Sequence, residues 1–315
     1  MFKIIVMAAA VAAAVLIISY ICFRTVFYVP QKNKGKTLPL KGDTYKPYLE
    51  IMKQMREDGR KIPYEDFYIK SFDGLTLHAK YYEYKKGATT EIMFHGYRGS
   101  AERDLSGGIQ RCFSIGRNAL IVDQRTSCGS DGNVISFGIN EHRDCVSWAE
   151  FAAQHFGSDV DLILCGISMG ASTVLMAASQ PLPESVKGVL ADCGFTSAEA
   201  IIKKCSRDMK LPAEIVYPFI KLGAKLYGHF DPDSFSALES VKNCTLPVIF
   251  FHGESDDFVP CEMSRELYTA CASPKQLVTV KGAGHGLAYL ADGEKYLAEL
   301  CRFFTENGVK TDTLP

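Results

Sequence analysis

Three short stretches of this 315-residue chain carry side chains that could perform acyl chemistry. The first, Gly166-Ile167-Ser168-Met169-Gly170, has the spacing G-x-S-x-G and lies between an apolar run, Leu162 to Cys165, and a stretch of helical periodicity. In that context the glycines permit a turn too tight for side chains, and the turn presents the serine hydroxyl at a helix N-terminus. A serine hydroxyl is a poor nucleophile until a base takes its proton. An imidazole can supply that base, and a buried carboxylate fixes its tautomer and stabilises the imidazolium. Candidates for both follow further along the chain. Val248 to Phe251 runs into His252-Gly253-Glu254-Ser255-Asp256-Asp257, and Leu277 to Val280 runs into Lys281-Gly282-Ala283-Gly284-His285. Taken singly, such a serine caps a helix, such an aspartate forms a turn and such a histidine sits on the surface. Three of them at three strand ends, in the order Ser, Asp, His, favour a nucleophile with its acid and base.

Other chemistries find less support. The 11 cysteines form no Cys-x-x-Cys pair, and no Cys/His cluster has zinc spacing, so neither a structural metal nor a cofactor is expected. Cys128 and Cys165 read as small apolar residues in tight packing. A net charge of −1 gives no reason to expect nucleic acid as a partner.

The elements that must hold these residues are visible as periodicity. Phe67 to Ile69 and Leu75 to Tyr84 alternate around an Asp73-Gly74 turn and read as a hairpin. Apolar runs then recur at Ile92–Phe94, Ala119–Val122, Leu162–Cys165, Val189–Ala191, Val248–Phe251 and Leu277–Val280, with helical stretches such as Asp144–Gln154 and Ser172–Ser179 between them. Strands buried on both faces and alternating with helices predict an α/β domain with a mostly parallel, doubly wound sheet, the N-terminal hairpin being its antiparallel edge. Chemistry in such sheets belongs at the carboxyl ends of the strands.

Several separate blocks of residues 64–305 resemble the α/β-hydrolase superfamily. Phe94-His95-Gly96-Tyr97-Arg98-Gly99-Ser100 is similar to its HGxxG block. Asp123-Gln124-Arg125 through Ser130-Asp131-Gly132 is similar to its D-x-R-G-x-G-x-S loop, except that Thr126-Ser127-Cys128 stands in place of Gly-x-Gly. Gly138 to Trp148 resembles the bacterial serine-aminopeptidase-like and Bem46-like branch. The resemblance implies the α/β-hydrolase fold and a serine hydrolase, with Ser168 as nucleophile, Asp256 rather than Asp257 as acid and His285 as base. It further implies an oxyanion hole made by the backbone N–H groups of Tyr97 and Met169, with His95 in a structural role. The stretch Gly194 to Asn243 matches the superfamily's cap. Its Tyr217, Phe219 and Tyr227 could line an acyl pocket, although packing the cap onto the sheet asks for the same aromatics.

The N-terminus adds a different physics. Ile4 to Phe23 is almost uninterruptedly apolar, and as a helix of about 1.5 Å per residue it is long enough to cross a bilayer core. No small-x-small cleavage site follows it, so an uncleaved single-span anchor is expected. Residues 1–60 hold 10 Lys/Arg against 4 Asp/Glu, and Arg24, Lys32, Lys34, Lys36 and Lys41 follow the span. By the positive-inside rule they place the larger domain on the cytoplasmic face. The organisation expected is therefore a membrane anchor over 1–28, a basic linker over 29–62 and an α/β-hydrolase domain over 63–308, with the cap inserted at 194–243. The expected activity is cleavage of carboxylic esters, thioesters or amides through an acyl-enzyme on Ser168, with a small acyl substrate that the anchor allows to be lipid-like. A non-catalytic binding module on the same fold, and a peptidase or acyltransferase using the same residues, are the alternatives.

Overall fold

The computed structural model describes residues 1–37 and 42–310, so Lys41 lies outside the described residues. Its centre is an eight-stranded sheet: β1 (Glu65–Lys70), β2 (Thr76–Tyr82), β3 (Thr90–Phe94), β4 (Asn118–Asp123), β5 (Leu162–Ile167), β6 (Val186–Asp192), β7 (Val248–Gly253) and β8 (Lys275–Val280). The strands lie in the order β1-β2-β4-β3-β5-β6-β7-β8. The hairpin β1–β2 is antiparallel and so is the pairing of β2 with β4; every later pairing is parallel. This is the α/β-hydrolase fold with the antiparallel start that the alternation at residues 67–84 predicts.

The central strands β3, β4, β5 and β7 are buried almost throughout, because helices cover both faces. On one face α4 (Glu141–Phe156) and α5 (Met169–Ala177) pack Trp148 and Val174 onto Ile92, Leu120 and Leu164. On the other, α3 (Ala101–Ser114) and α11 (Gly293–Glu306) pack Ile109 and Phe304 against Ile121, Ile163 and Ile249. The cap is formed by α6 (Ala198–Asp208), α7 (Ala213–Gly223), a wide π-type turn at Ala224–Gly228, and α8 (Ala237–Val241). The remaining short helices are α9 (Cys261–Ala270) and α10 (Ala288–Ala291).

The N-terminal region is tied to the domain by packing. Phe2–Val26 is one continuous helix, α1, long and apolar enough to cross a membrane. Its C-terminal end is not separate from the domain. Phe23 and Phe27 are buried in a third core cluster with Phe137, Met169, Phe195, Tyr217 and Phe230, and Phe27 meets Phe137 and Phe230 edge to face. The residues expected to be a linker also fold back. Asp43–Tyr48 forms a short 3₁₀ turn, and α2 (Leu49–Gly59) packs along α3. The basic linker expected over 29–62 thus carries a helix of its own, and Phe23 and Phe27 of the first segment and Tyr45 and Met52 of the second pack against the hydrolase core.

Candidate active site

Ser168 sits between the end of β5 and the start of α5, with φ 57° and ψ −120°. A positive φ in a non-glycine residue is strained, and the glycines around it show what holds the strain in place. A Cβ on Gly166 would lie 2.2 Å from backbone atoms of Gly170, and one on Gly170 would lie 2.0 Å from the carbonyl oxygen of Phe94. Neither position accepts a side chain, so the G-x-S-x-G spacing follows from close packing of helix, elbow and β3.

The strand ends of β7 and β8 bring the other two residues to it. His285 Nε2 lies 2.9 Å from Ser168 Oγ, and His285 Nδ1 lies 2.7 Å from Asp256 Oδ2. Asp256 Oδ1 accepts from the backbone N–H groups of Phe258 at 2.9 Å and Val259 at 2.8 Å, which orients the carboxylate. Burial pushes the Asp256 carboxyl upward, but hydrogen bonds from His252 and His285 outweigh it and hold it well below the usual carboxylate range. His252 is itself fixed, with Nδ1 2.6 Å from Ser264 Oγ and Nε2 2.8 Å from the Val259 carbonyl. Asp257, the competing acid, is exposed, and its carbonyl accepts from Lys204. The tautomer follows: with Nδ1 donating to Asp256, Nε2 is free to accept the serine proton.

Tyr97 and Met169 are placed around the same serine. Met169 is the first residue of α5, so its N–H has no intrahelical acceptor. Gly96 lies against Ser168, close enough that a Cβ on it would be 3.4 Å from Ser168 Cβ. Tyr97, the next residue, lines the same cavity as Ser168 and His285. Asp104 accepts from Gly96 N–H at 3.1 Å and steadies this loop. His95 is buried below it, with Nδ1 2.8 Å from the Gly96 carbonyl and Nε2 accepting from Gln124 N–H at 3.1 Å. Both ring nitrogens are occupied by backbone, which makes His95 a strut.

Sequence reasoning missed what fastens the loop from outside. Tyr97 Oη donates to the Val26 carbonyl at 2.6 Å, and Arg98 Nη2 donates to the carbonyls of Thr25 at 2.8 Å and Tyr28 at 3.2 Å. The end of α1 thus holds the HGxxG loop. It also missed Tyr45, whose hydroxyl donates to the His285 carbonyl at 2.8 Å, and Cys193, whose buried Sγ is 4.0 Å from His285 Nε2. No local motif signals either residue. The cavity over Ser168 is about 570 Å³, and Tyr45, Met52, Tyr97, Ile167 and Phe258 contribute to its wall. A narrower pocket of about 100 Å³ shares Met52 and Ile167 with it and is lined further by Met55, Met93, Leu105 and Leu290.

Tyr217, Phe219 and Tyr227 are not in that wall. Tyr217 is buried and bonds to Asp233, and Tyr227 packs its ring on Tyr20 and Phe23 of α1. Tyr217 and Tyr227 serve packing, and Phe219 is half-buried outside the core. Cys165 is buried as expected, but Cys128 is exposed rather than tightly packed and does not line the cavity over the serine. Thr126 and Cys128 take φ 75° and 35°, a left-handed backbone that glycine adopts more readily.

Residues 136–310, more than half of the chain, match the model of the prolyl oligopeptidase family. The chain belongs to the prolyl oligopeptidase family. Beyond this family match, the chain is similar to the uncharacterized protein YqkD of Bacillus subtilis, 24% identical over 316 residues that cover 99% of this chain and 100% of that protein. It is 23% identical over 258 residues to the protein bem46 of Schizosaccharomyces pombe, covering 79% of each. Among solved structures, an esterase of Pyrococcus furiosus superposes with a TM-score of 0.65 at 20% identity, covering 86% of this chain and 97% of the esterase. A hydrolase of the α/β-hydrolase superfamily is thereby established in fold and family.

Proposed function

We propose that this family member is a membrane-anchored serine hydrolase that cleaves acyl esters, thioesters or amides through a covalent acyl-enzyme on Ser168. The observation that carries this reading is the continuous line Ser168 Oγ, His285, Asp256, with a strained elbow presenting the hydroxyl to a cavity. Ser168 Oγ attacks the acyl carbonyl carbon while its proton passes to His285 Nε2. The resulting oxyanion accepts from the N–H groups of Tyr97 and Met169, donors that are worth about 3 kcal/mol of barrier each in such sites. The tetrahedral adduct collapses as His285 returns the proton to the departing alcohol, thiol or amine. Water, deprotonated by the same imidazole, then attacks the acyl-enzyme and releases the acid and free Ser168.

The cavity supports an acyl substrate with an apolar chain. The adjoining pocket, which shares Met52 and Ile167 with it, offers Met55, Met93, Leu105 and Leu290 to an apolar chain, beside the charged Arg103, Asp104, Arg111 and Asp192. The Ser168→Ala variant should lose on the order of 10⁴-fold in turnover of a p-nitrophenyl acyl ester while melting like the parent. Undiminished turnover would remove Ser168 from the mechanism.

Anchoring through α1 is supported by the burial of Phe23 and Phe27, since cleavage after the apolar run would strip the domain of core residues. The basic residues that follow α1 favour a cytoplasmic domain. A cysteine introduced at Thr313 (outside the described residues) should then react with an impermeant maleimide only after cell lysis; immediate reaction would reverse the orientation.

A further inference from the structure

The cap helix α7 and α1 pack along each other, and the depth of that contact is measurable in residues of α1. A Cβ on Gly223, at the end of α7, would lie 2.2 Å from the Ser19 carbonyl oxygen and 3.1 Å from Phe23 Cβ. In the turn after α7, Tyr227 donates from its hydroxyl to the Leu16 carbonyl at 3.3 Å, and its ring meets Tyr20 edge to face at 5.1 Å. Leu16 and Ser19 are inside the apolar run, not beyond it. Counted back from Phe23 at about 1.5 Å per residue, they lie roughly 6 to 10 Å within it.

The span leaves no room to slide α1 outward. Its apolar run, Ile4 to Phe23, is about 30 Å long, which is the thickness of a bilayer's hydrocarbon core. If α1 emerged fully at Leu16 to spare the cap, residues 4–15 would supply only about 18 Å. Either α1 fails to span, or the end of α7 and its turn enter the leaflet beside it.

The surface of α7 suits the second case. Ile215, Pro218, Phe219 and Leu222 recur at i, i+3, i+4 and i+7, one face of α7, and Leu226 follows in the π-type turn. Ile215 and Leu226 are 64% and 44% exposed, and none of the five enters the core that Ala213, Tyr217, Ile220 and Gly223 complete. The charges beside this face are compensated: Lys221 pairs with Asp233, and Lys225 with Asp231. Tyr20, Tyr28 and Tyr227 cluster around the end of α1 with Arg24 stacked 3.8 Å over the Tyr28 ring, a composition typical of the membrane–water interface. The stripe continues toward the cavity through Met209 and Leu211, 69% and 42% exposed, to Asp208, which lines the cavity mouth.

We propose that α7 and the turn following it are seated in the phospholipid leaflet from which α1 emerges, so that the cavity mouth receives a chain-bearing acyl lipid from the bilayer surface. This rests on the reading of α1 as a membrane span. A monotopic apolar helix is buried about 5–10 Å into the headgroup and acyl boundary, the depth that the Leu16 and Ser19 contacts give here. The stripe then delivers the substrate laterally, without a step through water.

The test uses the full chain reconstituted in phosphatidylcholine vesicles containing lipids brominated along the acyl chain, which quench tryptophan at short range. Trp148, the chain's one tryptophan, is fully buried and serves as the unquenched reference. Three single additions are compared: Leu226→Trp in the turn, Ile5→Trp in α1, and Phe72→Trp in the exposed loop between β1 and β2. Quenching of the tryptophans at 226 and 5 but not at 72 supports the proposal. Quenching at 5 alone overturns it and leaves the anchor standing, whereas no quenching at 5 overturns the anchor as well. A second readout keeps the function in view. Ile215→Asp with Leu226→Asp should keep hydrolysis of a soluble short-chain ester within about twofold while lowering turnover of a vesicle-embedded long-chain ester by about tenfold. Equal turnover of the embedded ester by parent and variant contradicts lateral delivery.

Discussion

The two halves of the candidate site are held in different ways. Ser168, Asp256 and His285 hang from the ends of β5, β7 and β8, and their spacing is set by a sheet that is buried on both faces. The HGxxG loop and the cavity wall depend instead on chain from far upstream: Val26, Thr25 and Tyr28 receive hydrogen bonds from Tyr97 and Arg98, and Tyr45 bonds the His285 carbonyl. The first half is motif-bearing, although Ser168 and His285 are 117 positions apart. The second is assembled by long-range contacts from a segment whose composition suggests an anchor and a spacer. The proposed nucleophile is thus built into the core, while its proposed oxyanion loop is tied to the end of a helix that can span a membrane.

The largest effect should separate the residues within the first half. Asp256→Asn should lower turnover about 10⁴-fold, because the amide no longer holds His285 in the tautomer that accepts the serine proton. Asp257→Asn, at an exposed position that lines the cavity but makes no bond to His285, should lower turnover by less than about tenfold. Reversed ranking in steady-state kinetics would move the acid to Asp257.

The next prediction probes the second half. Phe27→Ala should cost about 3–5 kcal/mol in denaturant unfolding, since the ring is fully buried between Phe137 and Phe230. A chain starting at Tyr45 loses Phe23 and Phe27 together, along with the carbonyls that hold Tyr97 and Arg98. It should be less stable and less active than the full chain, even though every residue of the Ser168 line remains. A truncated chain as stable as the parent would show that the upstream contacts are incidental.

A smaller effect returns to the sheet. Asp192, at the end of β6, is buried with Oδ1 lacking a hydrogen-bond partner, and burial raises its carboxyl to about 6 despite His252 and the Tyr296 hydroxyl. The folded protein therefore binds this proton more tightly than the unfolded chain does. Its contribution to stability is present at low pH and is lost as pH rises from about 4 through 6. The stability difference between the parent and Asp192→Asn should change by about 2–3 kcal/mol between pH 4 and pH 7, in the direction that favours the variant at pH 7. A pH-independent difference in urea titrations would mean that the carboxyl titrates normally.

These contrasts also explain what the sequence could tell. The strands were legible because burial on both faces leaves short apolar runs, and the elbow was legible because Gly166 and Gly170 have no room for a side chain. Asp256 and His285 follow strand ends, and the resemblance to the superfamily's blocks is what selects Asp256 over Asp257. By contrast, Tyr45, Met52 and Cys193 reach the site through tertiary packing, for which a single sequence carries no periodic signal. Phe27 read as the tail of an apolar span because core and membrane select the same side chains. Tyr217 and Tyr227 fit a pocket less well than packing by sequence, and the geometry gives them to packing with Asp233 and α1. The Thr126-Ser127-Cys128 departure left loop shape open, since residue type alone does not show whether a non-glycine accepts a left-handed backbone.

Ser168 as a covalent nucleophile is tested most directly by mapping an adduct. The folded, full-length protein is incubated with an alkyl fluorophosphonate, digested, and analysed by peptide mass spectrometry. One phosphonate per chain is predicted on the peptide carrying Ser168, with labelling abolished in His285→Ala because the hydroxyl then has no base. A folded protein that takes up no phosphonate, or takes it up on another residue, contradicts the assignment.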